Sequence, residues 1–163
     1  MRNPYLLDEQ TAVAFSGGRT SGFMLWNILQ AHGGSLPDGV VVCFQNTGLE
    51  HEKTLEFIRD VEAKWGVPIT WLEASTEYEE GRKSPHTYKV VDFCTASRNG
   101  EPFEALIKAR QMLPTVMARF CTVELKMRTL KRYLKQKFGW TEYDVAIGIR
   151  ADEPRRVARM KGD

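Results

Sequence analysis

Apolar and polar positions alternate in blocks along this chain, and the blocks change period as they go. The short apolar run Thr11–Phe15 predicts a strand. Residues Thr20–Ala31 read as a helix that ends at His32-Gly33-Gly34. The β-branched run Val40–Gln45 has the look of a buried parallel strand. From His51 to Trp65 the apolar residues Leu55, Ile58, Val61 and Trp65 recur every three or four positions. This is an amphipathic helix stopped by Gly66 and Pro68. Ile69–Leu72 makes a third strand. Residues 74–101 lose periodicity, with Tyr88–Phe93 as a short strand inside the loop. Pro102–Arg110 reads as a helix with Pro at its first position. A longer helix is expected over Val123–Phe138, with Val123, Met127, Leu130, Leu134 and Phe138 as its buried stripe, Thr122 as its cap and Gly139 as its stop. Tyr143–Gly148 is a further, buried strand. Alternating strands and helices predict a doubly wound α/β fold, a mostly parallel sheet with helices on both faces.

The 163 residues fit one domain, taken as residues 1–163, and 42% hydrophobic with 27% charged residues is ordinary for a globular protein. The apolar runs are too short to span a bilayer and the N-terminus lacks a secretion signal, so a cytoplasmic location and no membrane partner are expected. Three cysteines without a C-x-x-C pair argue against a disulfide framework or a zinc ribbon. Charge is uneven. Residues 119–163 hold 12 Lys and Arg against 6 Asp and Glu, which leaves 11 against 15 in the first 118. A basic final third suits an anionic ligand, a nucleotide or a nucleic acid reached through Arg150, Arg155, Arg156, Arg159 and Lys161; it also reads as a solvated basic helix.

In sheets of this kind ligands bind beyond the carboxyl ends of the strands. The first such segment, Ser16-Gly17-Gly18-Arg19-Thr20-Ser21, couples a flexible turn to a helix N-terminus, where free amides and the helix dipole favour an anion. Hydroxyls of Ser16, Thr20 and Ser21 and the charge of Arg19 add to it. The same residues also read as a Gly-Gly turn with a capped helix. Asn46-Thr47-Gly48 and Arg150 end later strands and fall at the same side of the sheet.

Ser16–Ser21 resembles the S-G-G-x-x-S loop of the adenine-nucleotide α-hydrolase, or PP-loop, superfamily. Gln45-Asn46-Thr47-Gly48 with Glu50–Thr54 looks like the D-T-G…E-T segment of the phosphoadenosine phosphosulfate (PAPS) reductase family. Arg119–Lys126 is similar to that family's Cys-x-x-x-[Arg/Lys]-Lys region, and Ile147–Glu153 to its G-x-R segment. Ala96–Phe103 resembles the phage and bacterial branch. The resemblance covers roughly residues 11–158, in the family's order. It implies ATP or PAPS as ligand, with Ser16–Ser21 cradling phosphate or phosphosulfate, Asn46, Thr47 and Gly48 against the adenosine, and Arg119, Lys126 and Arg150 neutralising charge. It also implies an oxidoreductase served by a thioredoxin-type reductant, or a PP-loop transferase. Lys126 reads equally as a solvent-facing helix lysine.

Three departures qualify this. Thr20 stands where ATP pyrophosphatases carry Asp, which weakens magnesium-assisted attack, and Asn46 replaces a second Asp. The reductases' E-C-G-[Leu/Ile]-H tail has no counterpart, so the expectation is a domain lacking its C-terminal tail. Cys121, next to Arg119 and placed before a helix, is the candidate catalytic thiol; the alternative is packing. Cys94 could pair with it transiently, and His51 or His86 could join a metal site, but no spacing supports one, so no metal ligand is assigned. The alternative to an enzyme is a non-catalytic nucleotide-binding module, or a subunit of a nucleic-acid modification or phage-defence system. A homo-oligomer is left open.

Overall fold

A computed structural model describes residues 3–7, 9–85, 87–150, 152–154 and 158. His86, Arg155, Arg156, Arg159 and Lys161, invoked above, lie outside the described residues. Strands β1 (Thr11–Ala14), β2 (Val40–Asn46), β3 (Ile69–Ala74), β4 (Tyr88–Val91) and β5 (Asp144–Ile147) form one sheet in the order β4-β3-β2-β1-β5. All neighbours pair parallel except β3 with β4. The helices are α1 (Arg19–Ala31), α2 (Glu52–Trp65), α3 (Glu101–Arg110) and α4 (Arg128–Phe138), the last continuing a π-helical segment, Thr122–Met127. Among the described residues no helix is long and apolar enough to cross a membrane.

The period of two along each strand sorts the core into layers. Val13 and Phe15, with Val42, Phe44, Ile69 and Trp71, pack beneath α1 and α2 through Leu25, Ile28, Leu55, Ile58 and Val61. Ala12, Cys43 and Leu72 face the other way, onto Leu130, Tyr133 and Leu134 of α4. Helices therefore cover both faces of a mostly parallel sheet. The chain leaves β1 toward β2 on one side and returns with β5 on the other, which puts a topological switch point between β1 and β5.

Two expectations change. β5 is an edge strand among the described residues, with Val145 and Ile147 38% and 40% exposed, not a buried one. The stripe expected on the last helix holds only at Leu130 and Leu134. Met127 is 62% exposed, Val123 and Phe138 are exposed too, and the buried positions upstream are Glu124 and Leu125. For Val123 and Met127 the cause is the π segment. Arg128 N donates to Val123 O, five residues back, and one extra residue in a turn rotates everything upstream by about 100°. Thr129 Oγ1, fully buried, donates to Glu124 O at 3.1 Å and fixes the wide turn. The chain is already helical at Phe120 and Cys121, so Thr122 lies inside the helix and does not cap it.

Candidate functional site

Beyond the carboxyl end of β1 the loop Ser16–Ser21 turns directly into α1. Gly17 is left-handed, φ 71°, and an added Cβ would meet Thr54 Cγ2 at 2.6 Å, so glycine is what lets the loop press against α2. A Cβ added at Gly18 would meet only Ser16 Oγ, at 3.6 Å, so that side of the loop is open. Ser21 Oγ donates to Gly18 O at 2.9 Å. Its one proton being used, Ser16 Oγ is the donor in the 3.1 Å bond to Ser21 Oγ. The first amide of α1 with a helical acceptor is that of Gly22, on Gly18 O. The amides just before it have none within the helix, the arrangement that receives an anion.

These hydroxyls open onto a cavity of about 360 Å³ at the switch point. Ala14 and Ser16 after β1, Ser21 of α1, Gln45 of β2, Val145, Ile147 and Gly148 of β5, and Thr122, Lys126, Met127 and Leu130 from the π segment and α4 line it. Gly148 permits the close approach of β5 to α1: a Cβ there would stand 3.1 Å from Thr20 O and 3.2 Å from Ser21 N. Lys126 Nζ lies 3.6 Å from Glu50 Oε1, so its charge is held at the rim by the β2–α2 turn. The same Glu50 accepts from Thr47 N at 3.0 Å and Thr47 Oγ1 at 2.9 Å. No carboxylate, histidine or cysteine is among the described residues that line the cavity.

The structure thus brings Ser16, Ser21 and Lys126 together and leaves other expected residues elsewhere. Arg19 is exposed in the first turn of α1, and Thr20 lines a separate pocket of about 370 Å³ on the opposite side of β5 with Tyr5, Phe23 and Ile149. Arg150 is exposed and paired with Asp152 at 3.1 Å. Arg119 is exposed before the π segment. Asn46 is fully buried and spent on structure: its Nδ2 donates to Glu73 Oε1 at 2.7 Å and Ser97 O at 2.8 Å, and its Oδ1 accepts from Gly48 N at 3.1 Å. Gly48 is covered in turn by Gly100, whose amide donates to Gly48 O at 2.9 Å. The chain's own 97–102 segment therefore occupies the space beside Asn46-Thr47-Gly48.

Cys121 packs with the Ala74, Leu106 and Leu125 cluster and does not line the cavity. Cys94 is exposed. Cys43 is a buried strand residue as its run implied, and burial pushes its thiol up to about 12, far from the reactive range. On the far side of the π segment Glu124, 1% exposed, accepts from Arg110, from Arg128 at 2.8 Å and from Ser84 at 3.0 Å. Burial, then the charge of Glu124, raises the neighbouring Tyr78 hydroxyl to about 12.

Sequence reading overlooked Gln45, Thr122 and Gly148 as lining residues. For Gln45 the signal was there: it continues the Val41, Cys43 face of β2, so it is a polar residue on a buried face at the ligand end of a central strand.

No known family profile matches this chain. It is 36% identical over 151 residues to an uncharacterised nin-region protein of Escherichia phage lambda, covering 92% of this chain and 51% of that one. An uncharacterised protein of Methanocaldococcus jannaschii is 30% identical over 164 aligned positions, covering 99% and 27% respectively. An uncharacterised 37.8 kDa protein of Escherichia phage 186 is 28% identical over 170 positions, covering 90% and 49%. The chain thus spans about half the length, or less, of these relatives.

Proposed function

We propose that this chain binds an adenine nucleotide in the cavity between β1 and β5, as a PAPS-reductase-like member of the PP-loop superfamily, and acts on the nucleotide's phosphate or phosphosulfate group. One observation carries the reading: Ser16 and Ser21, the two ends of the loop that opens α1, line one cavity with Lys126. Phosphate oxygens there would displace the Ser16–Ser21 hydroxyl pair, whose protons then serve the ligand. Cavity volume and the crevice position both suit such a ligand. A magnesium ion would find hydroxyls and the Gln45 carboxamide among the lining groups but no carboxylate, a poor donor set for a protein-held ion, so no step is assigned to it.

A second reading, a nucleotide-binding module without chemistry, is favoured by the position of Cys121 outside the cavity and by the lack of a carboxylate, histidine or cysteine among its described lining residues. Calorimetry with ATP, PAPS and adenosine phosphosulfate tests binding. At least one should bind, and Lys126→Ala should weaken it about tenfold. No heat with any of the three at millimolar concentration rejects the proposal. Sustained release of pyrophosphate or sulfite separates the enzyme from the module.

A further inference from the structure

Strand β5 is the most exposed strand of the sheet. Asp144, Val145 and Ile147 are exposed and Ala146 is half-buried, whereas Thr11, Ala12 and Val13 of the neighbouring β1 are buried. Among the described residues β5 pairs with β1 alone. Asp144 N donates to Gln10 O at 2.9 Å, so the amides of Asp144 and, by alternation, Ala146 point toward β1. The N–H and C=O groups of Val145 and Ile147 then point the other way, to the open edge.

Open edges are commonly blunted by lysine or proline. The opposite edge, β4, has Lys89 exposed in mid-strand. From Trp140 to Arg150 there is neither residue type. Apolar side chains flank the outward backbone groups instead, Val145 and Ile147 toward α4 and Ala146 toward α1.

We propose that β5 pairs antiparallel with β5 of a second copy of this chain, about a two-fold axis at Ala146, so that two sheets become one. In that register Val145 stands opposite Ile147 of the second copy, and each such pair exchanges both backbone hydrogen bonds. Asp144 falls opposite Gly148, which has no side chain to crowd it. Further out, Glu142 falls opposite Arg150, a carboxylate against a guanidinium at both ends of the interface. Neighbouring registers do worse. Centred on Val145, the pairing sets Glu142 against Gly148 and Arg150 against Trp140, and no charge is answered. Centred on Ile147, it gains Asp144 against Arg150 but sets Glu142 against Asp152, two carboxylates. Arg150 can turn to the second copy because its pair with Asp152 is exposed on both sides and holds it weakly. The edge is thus self-complementary, as a two-fold interface must be. The pairing does not depend on the nucleotide reading, although Val145 and Ile147 also line that cavity.

Sedimentation equilibrium of the whole chain tests this. A short edge buries little area, so a dimer with a Kd on the order of 10–100 μM is expected. Glu142→Lys and Arg150→Glu should each weaken it about tenfold, and the double exchange should return it to within about threefold of the wild type. A second measurement uses the wild type alone and stands apart from any folding defect. The amides of Val145 and Ile147 should exchange about tenfold more slowly at high than at low chain concentration, while those of Asp144 and Ala146, already bonded to β1, change little. A chain that stays monomeric up to about 1 mM overturns the proposal. A dimer whose Val145 and Ile147 amides stay open to exchange uses another surface and overturns it equally. Failure of the double exchange to restore the dimer overturns the pairing at Ala146.

Discussion

At Gly17 a side chain has nowhere to go, because the backbone is left-handed and Thr54 and Ile58 stand within 3 Å of where a Cβ would be. Its neighbour Gly18 has an extended backbone, φ −93°, and open space around it. Gly17→Ala should therefore cost about 2–3 kcal/mol and Gly18→Ala about 1 kcal/mol or less, read from urea unfolding. Equal losses would show that the loop does not sit against α2 as described. Asn46 offers a second test, since its amide separates two acceptors. Asn46→Asp sets a carboxylate against Glu73 Oε1, now 2.7 Å from Nδ2, and against Ser97 O, now 2.8 Å away. We expect a loss of about 3 kcal/mol at neutral pH. Repulsion raises the folded-state pKa of the paired carboxyls, so the folded variant binds more protons than the unfolded chain. Its deficit should then shrink as pH falls from 7.5 toward 5.5; a urea midpoint deficit that grows instead would contradict the geometry.

The π segment is the element on which the site turns, because it aims neighbouring residues at opposite partners. Thr122, Lys126 and Met127 line the cavity, while Glu124 points into Arg110, Arg128 and Ser84. Glu124→Ala should cost about 3 kcal/mol, since it strips a buried carboxylate from Arg110, whose guanidinium is also largely buried. Arg128→Ala, at a half-exposed partner, should cost under about 1 kcal/mol in the same urea assay. Comparable losses would mean that Glu124 is not the anchor. This turn also marks where reading the sequence stopped working. Runs such as Val40–Gln45 and the Leu55, Ile58, Val61 spacing announce their elements because burial imposes the period directly. A stripe drawn at 3.6 residues per turn fails at Val123 and Met127 because nothing in those residue types signals a wider turn. Site residues divide similarly. Ser16 and Ser21 follow from strand-turn-helix order, whereas the directions of Arg119, Arg150 and Cys121 depend on loop and helix rotation, which spacing does not encode.

Across the whole molecule, the segment joining β4 to α3 is fastened by carboxylates that prefer to be charged. The Arg98 hydrogen bond holds Glu52 below the ordinary carboxylate range and ties α2 to this segment, where Arg98 and Arg59 also stack on Phe93. Asp92 is lowered by the Thr95 amide first and then the Thr95 hydroxyl. Glu101 is lowered chiefly by backbone amides, its own and that of Asn99. A depressed folded-state pKa means that the folded chain binds fewer protons than the unfolded one between the two values. The stabilisation is therefore complete above the unfolded values, near 4, and is lost as pH falls through the lower folded ones. Strands β1 and β2 carry no carboxylate at all. Acidification from pH 7 to 3 should thus lower the urea midpoint, and amide exchange should rise in residues 92–101 before it rises in β1 and β2. Loss of protection in β1 first would contradict this order. Because Ser97 and Gly100 of the same segment cover Glu73, Asn46 and Gly48, the turn beside Gln45 should loosen with it. Nucleotide affinity should accordingly fall over the acid range in which the 92–101 amides become exchangeable, while the strands beneath the cavity remain protected.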